Sequence, residues 1–80
     1  MDGNKTQRLA RTIVADFFLY NQDDIDRGLI NDNLFKILKG EIEDSINYFK
    51  ERSSGDLTVF WDTLFNRLMQ REAKILESSR

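Results

Sequence analysis

The acidic segment of residues 23–28 has the residue types closest to those of a metal site. Asp23, Asp24 and Asp26 are followed by Gly28. A calcium-binding loop likewise has oxygen ligands at alternate positions and then a glycine. The spacing does not fit, because counting from Asp24 places Phe35 at the twelfth position, where a calcium loop needs a bidentate glutamate. We therefore interpret the segment as the start of a short helix, whose free backbone N–H groups these side chains cap. No metal site is predicted.

Asp16 is the second carboxylate that could do chemistry, because it falls on the border of the apolar face of the first predicted helix. A carboxylate partly removed from water is costly unless it is paired or hydrogen-bonded. We expect Arg8, Arg11, Arg52 or a helix N-terminus to pair with it, so that Asp16 has a structural role. A binding role is the alternative. Catalysis is disfavoured, because acid–base chemistry would need a second carboxylate converging on the first.

The chain contains no histidine and no cysteine. These absences remove the usual general base near pH 7, the commonest metal ligand and any thiolate site. We therefore predict that the protein is not an enzyme, with no catalytic residue, no cofactor and no small-molecule substrate. No apolar run approaches the roughly 20 residues that span a bilayer, and the N-terminus lacks the apolar stretch of a signal peptide. The expected location is the cytoplasm, without membrane association.

Charge disfavours nucleic acid as a partner. The formal net charge is −2, and no basic stripe is present to follow a phosphate backbone. A helix-turn-helix DNA-binding regulator is a further alternative, with a second helix that carries Lys36 and Lys39. Glu41, Glu43 and Asp44 follow these lysines immediately, which makes the region acidic and unfavourable for phosphate contacts.

The elements that must position these residues are helical. Proline is absent from the 80 residues, and apolar positions recur at intervals of three and four, which is the period of an amphipathic helix. We predict one all-α domain over residues 1–80, ordered over about 5–76, in which three long helices and one short helix form a small bundle. The first helix begins near Asn4 or Thr6 and ends near Tyr20, and the others span about residues 24–30, 34–51 and 57–76.

The last predicted helix has two apolar stripes, which is more than one helix–helix contact requires. One stripe is Leu57, Phe60, Leu64, Leu68 and Ile75, and the other is Trp61, Phe65, Met69 and Leu76. We expect one stripe to face a partner, although the sequence does not identify which one. The first helix is also apolar nearly all round at residues 17–19. The candidate partner-binding residues are Phe18, Trp61, Phe65 and Met69, with a smaller patch at Ile37 and Tyr48.

Two glycines carry structural expectations. Gly55 and Asp56 form the strongest break in the chain, with Gly55 suited to a left-handed helix cap and Asp56 to the N-cap of the last helix. Gly40 lies within a helical pattern, where glycine costs about 1 kcal/mol relative to alanine. It is interpreted as a tolerated glycine on a solvated face, with close approach of a partner as the alternative.

Residues 11–21 read Arg-Thr-Ile-Val-Ala-Asp-Phe-Phe-Leu-Tyr-Asn. This segment resembles a short helical module at the ends of multidomain bacterial proteins, especially in deltaproteobacteria, with the pattern Arg-x-Ile-Val-x-Asp-x-x-x-Tyr-Asn. The similarity covers about residues 8–72 and continues through Asn33-Leu34-Phe35, Glu41-Ile42, Tyr48, Phe60-Trp61 and Leu64. The resemblance implies a non-catalytic interaction module in signalling or cell-polarity proteins, excised here from a longer chain.

The sequence therefore predicts a protein–protein interaction or dimerisation module, in which apolar helix faces bind another protein or a second copy. A purely structural helical end-cap of a longer protein is the alternative from another class.

Overall fold

The computed structural model describes residues 2–53 and 56–78, with side chains from residue 5 onward. All regular structure in these residues is α-helical, which confirms the predicted all-α class. None of the described helices is both long and apolar enough to cross a membrane. The helices are α1 (Asp2–Tyr20), α2 (Gln22–Asn31), α3 (Leu34–Ile37), α4 (Lys39–Arg52) and α5 (Leu57–Ser78).

The core forms where α1 packs against both α4 and α5, while α2 and α3 close one end of the bundle. Residues spaced three and four apart on α1 and α5 give each helix one buried stripe, as an amphipathic helix requires. Each described helix contributes at least one side chain to a single apolar cluster. Its buried members are Ala10, Ile13, Val14, Phe17, Phe18, Ile25, Leu34, Leu38, Ile42, Phe49, Phe60, Leu64 and Leu68.

The predicted continuous helix over residues 34–51 is wrong, because the chain divides at Leu38 into α3 and α4. Leu38 has φ −110° and ψ 19°, outside helical geometry, and its N–H donates to the carbonyl of Leu34. Leu38 is fully buried at this break, whereas Phe35, three residues earlier in α3, is exposed. The bundle therefore has five described helices rather than the four predicted.

Helix α2 ends in a tight turn that brings α3 against it. Asp32 adopts the left-handed conformation, with φ 57° and ψ 39°, and its N–H donates to the carbonyl of Gly28. Asn33 donates to the same carbonyl at 3.0 Å. A Cβ atom on Gly28 would lie 2.6 Å from the Cα atom of Leu34, so only glycine allows this approach. At Gly40, by contrast, nothing lies within 4 Å of such an atom, which agrees with a tolerated glycine.

The helix starts differ in how they are capped. Asp56 caps α5 as predicted, since its Oδ1 accepts a 2.9 Å hydrogen bond from the backbone N–H of Thr58. This bond, with a further one from the Thr58 side chain, lowers the pKa of Asp56. Gly55, the predicted left-handed cap, lies outside the described residues.

The predicted side-chain cap of α2 is not present. Asn21 occupies the N-cap position without a capping hydrogen bond, and its Nδ2 donates instead to the carbonyl of Phe17 at 2.9 Å. Asp23 and Asp24 lie inside the first turn of α2, where their charges favour the positive end of the helix dipole. The acidic segment therefore supports α2 through charge rather than through a side-chain cap.

Candidate functional site

Of the two apolar stripes of helix α5, one lies in the core and the other lies at the surface. Phe60, Leu64 and Leu68 are buried, whereas Phe65 and Met69 of the second stripe are 44% and 69% exposed. Leu76, at the end of the same stripe, is also exposed. The stripe through Phe60 is therefore the internal one, and the stripe through Phe65 is the one that reaches the surface.

The exposed stripe joins α3 through a row of aromatic contacts. Trp61 stacks on Phe65 with ring centroids 5.6 Å apart, and Phe35 meets Phe65 edge-on at 5.9 Å. Both geometries are favourable aromatic arrangements. We call Phe35, Trp61, Phe65 and Met69 the α3–α5 face.

A cavity of about 560 Å³ opens beside the α3–α5 face, with Gly28, Leu29, Leu34 and Leu68 among its lining residues. A neighbouring cavity of about 400 Å³ is also lined by Leu29 and extends to Ile30 and Leu76. The two cavities therefore continue the apolar surface along α5. Asp32 and Glu72 line both cavities, while Lys36 and Asn33 line the larger one.

Asn33 brings one unsatisfied polar atom to this region. Its Oδ1 is buried and has no hydrogen-bond partner, an arrangement that costs about 1–3 kcal/mol. The atom lies at the turn from α2 to α3, which the backbone bonds to Gly28 hold in place.

Two of the four main predicted partner-binding residues, Phe65 and Met69, reach the surface of the α3–α5 face. Trp61 is half-buried and also packs against the core, so it links the face to the interior. Phe18 requires a correction, because it is only 8% exposed and cannot offer its ring to a partner. Phe17 beside it is buried as well, whereas Leu19 is 66% exposed. The guanidinium carbon of Arg67 lies 5.5 Å from the centroid of the Phe18 ring.

The two residues of the smaller predicted patch, Ile37 and Tyr48, do not share one surface feature. Ile37 and Tyr48 are both exposed, but only Tyr48 lines a groove, with Glu41 and Asp44, between α1 and α4. Asp16 lines the same groove. The expected pairing of Asp16 is wrong for the side chains that the structure describes, because Asp16 is exposed to water and takes part in none of their ion pairs.

An ion pair that no sequence pattern indicated links α2 to α5. Arg71 donates from Nε to Oδ1 of Asp26 at 2.7 Å and from Nη2 to Oδ2 at 2.6 Å. This two-point geometry is the strongest form of an arginine–carboxylate contact. The hydrogen bonds from Arg71, opposed in part by burial and reinforced by its charge, lower the pKa of Asp26. A separation of 45 residues hides the pair from any local pattern.

We expect the Asp26 pair to stabilise the fold above about pH 4 and to be lost in acid. The pKa of Asp26 is lower in the folded chain than its ordinary value of 3.8, so protonation on acidification favours unfolding. Asp26→Asn should therefore lower the free energy of unfolding near neutral pH, and its difference from wild type should shrink as the pH falls through the folded pKa. Urea unfolding at several pH values measures this effect.

Asp62→Asn provides the matched control for that titration, because it removes the same charge from an exposed position outside the described ion pairs. It should leave the acid dependence nearly as in wild type. Since the chain has no histidine, no side chain has an ordinary pKa between pH 5 and 8, and stability should stay flat over that range. Equal effects of the two variants at every pH would contradict a stabilising role for the Asp26–Arg71 pair.

The side chains around the α3–α5 face are mostly apolar or charged. Within residues 5–53 and 56–78, no three acidic, histidine or cysteine side chains are placed to hold a metal ion. The α3–α5 face offers aromatic rings, a thioether and a few charges around them, which are the groups that bury area in protein interfaces.

Comparison of the chain with known protein families, curated proteins and solved structures found no significant match.

Proposed function

We propose that the protein is a non-catalytic interaction module that binds an apolar helix, in another protein or in a second copy of itself, through the α3–α5 face. One observation carries the proposal: α5 fills the core with one apolar stripe and leaves a second, aromatic stripe at the surface. A helix that only stabilises a small bundle needs a single stripe. The second stripe is therefore available for recognition.

The dimensions of the surface suit a helix. The stripe from Trp61 to Leu76 extends for roughly 22 Å at 1.5 Å per residue, and the two cavities beside it give side chains of a partner places to enter. Fully burying a side chain such as Phe65 or Met69 contributes about 1.5–3 kcal/mol. Aromatic anchors in a pocket are the usual centres of binding energy.

The charges around the face also allow two copies to meet. Lys36 lines the larger cavity together with Asp32 and Glu72. In a two-fold symmetric dimer each contact occurs twice, so Lys36 of each copy can pair with a carboxylate of the other. The resemblance to bacterial helical modules adds the expectation of a signalling or polarity protein in the cytoplasm.

The helix-turn-helix alternative gains no support from the fold. Lys36 belongs to α3 and Lys39 to α4, because the helix that would carry both divides at Leu38. A four-residue α3 is also too short to lie along a DNA groove as a recognition helix.

Sedimentation equilibrium tests the self-association form of the proposal, on the wild-type chain from about 10 µM to about 1 mM. Reversible dimerisation should be reduced at least about tenfold by Met69→Glu, because the charge would be buried in the interface. Leu19→Glu is the matched control, since Leu19 is 66% exposed, close to the value for Met69, but belongs to α1 and lines neither cavity beside the face. Circular dichroism of both variants checks that the fold is retained.

If the chain remains monomeric, photo-crosslinking tests the form of the proposal in which another protein is the partner. A photoreactive phenylalanine analogue at Met69 should give a discrete crosslinked protein in cells of the native host, while the same group at Leu19 should not. A strict monomer with no excess crosslinking at Met69 would contradict the proposal and favour the structural end-cap.

A further inference from the structure

A second surface lies between α1 and α4, away from the α3–α5 face. It is an open groove of about 290 Å³. Ile13 and Phe17, both buried core residues, form its apolar base. Tyr20 and Tyr48 also line it, and the first of these rings is 81% exposed. The groove has no lining residue in common with the cavity of the α3–α5 face.

The charge of this groove is one-sided. Asp16, Glu41 and Asp44 line it, and no lysine or arginine does. None of these three carboxylates belongs to an ion pair among the described side chains, whereas Asp24, Asp26 and Glu51 each have an arginine partner. A groove lined by one sign of charge over an apolar base concentrates the opposite charge. The complementary ligand is a cation with an apolar stem.

The aromatic rings provide an independent indication of the same ligand. The guanidinium carbon of Arg52 lies 3.7 Å from the centroid of the Tyr48 ring, which is a close cation–π contact. The ring of Tyr48 is therefore occupied by a guanidinium group of the chain itself, which leaves the ring of Tyr20 as the open one. The ring of Tyr20 forms no such contact with the described cations and is exposed.

We propose that the groove between α1 and α4 binds a lysine- or arginine-bearing segment of another protein. The methylene stem of the basic side chain packs against the exposed ring of Tyr20, as such stems do on apolar surface. Its charged head lies among Asp16, Glu41 and Asp44, beside the tyrosine rings. This site does not depend on the function of the α3–α5 face, since the two surfaces are built from different residues.

An NMR titration of the ¹⁵N-labelled full chain tests the site, with acetylated tetra-arginine and tetra-lysine as probes and tetra-glutamate as the negative control. Both cationic peptides should shift the amide signals of Asp16, Tyr20, Asp44 and Tyr48 in a saturable manner. Affinity should fall as salt rises. Tetra-glutamate should leave these signals unchanged.

Two double variants distinguish binding in the groove from a general effect of the net charge on peptide affinity. Asp16→Asn with Asp44→Asn should weaken tetra-arginine binding at least about tenfold, because two carboxylates that face the cation are removed. Asp23→Asn with Asp62→Asn changes the net charge equally at exposed positions outside the groove and should leave the affinity within about twofold of wild type. Tyr20→Leu should weaken arginine binding, whereas Tyr20→Phe retains the exposed ring and should not.

Three results would overturn the proposal. Equal losses in the two double variants would mean that binding follows net charge alone. Spermidine binding as tightly as tetra-arginine would identify a small polyamine site instead of a site for a protein segment. Arg67 and Lys74 are exposed cations on α5 of a second copy. Concentration-dependent shifts of the same signals without peptide, abolished by Arg67→Gln with Lys74→Gln, would show that this second copy occupies the groove.

Discussion

Gly28→Ala is expected to lower the free energy of unfolding by about 2–3 kcal/mol. The added Cβ would lie 2.6 Å from Cα and 2.9 Å from Cβ of Leu34, so α3 must move away from α2. Leu34 is buried in the core, and its displacement would also disturb the packing below it. The loss is large for a domain of this size, whose total stability is roughly 4–12 kcal/mol.

Gly40→Ala is the matched control, because it adds the same methyl group to a helical glycine in the same chain. Nothing lies within 4 Å of the new atom, so the variant should be neutral or more stable by up to about 1 kcal/mol from helix propensity. Neither glycine has positive φ, which leaves packing as the difference between them. Urea unfolding of both variants measures the contrast, and equal stabilities would contradict the close approach at Gly28.

Periodicity was sufficient to predict the long helices but not the break within one of them. The predicted end of α1 at Tyr20 and start of α5 at Leu57 both agree with the structure, because apolar spacing and the Asp56 cap are local signals. At Leu38 the chain leaves helical geometry while Leu34 and Leu38 both pack into the core, which is a matter of tertiary contact. A pattern of apolar residues alone does not record such a contact.

Prediction of the candidate interaction surfaces from the sequence was limited by the same lack of tertiary contacts. The two stripes of α5 were visible in the sequence, but only the packing of α1 and α4 against α5 shows which stripe is internal. Phe18 was misassigned because an all-round apolar segment looks equally suited to a core and to an interface. The groove between α1 and α4 joins residues distant in the chain, so its charge emerges only in the folded protein.

Phe60→Ala is expected to cost about 3–5 kcal/mol of stability, the largest effect among these predictions. Phe60 is 1% exposed, and its ring lies 5.7 Å from that of Phe49 at the centre of the core. Truncation to alanine removes most of the buried side chain and leaves a cavity that the helices cannot fill without losing other contacts. A chain of this size should then be partly unfolded at 37 °C or close to it.

Phe65→Ala removes the same atoms five residues later on α5, from a position that is 44% exposed. It should cost only about 1 kcal/mol, mostly from the ring contacts with Trp61 and Phe35, while association through the α3–α5 face should weaken strongly. Thermal unfolding of dilute samples isolates the first effect, and sedimentation or crosslinking measures the second. If Phe65→Ala unfolded the chain as severely as Phe60→Ala, the second stripe of α5 would be part of the core and the proposed interaction surface would be lost. Retained folding with reduced association would instead separate the role of Phe65 from that of Phe60.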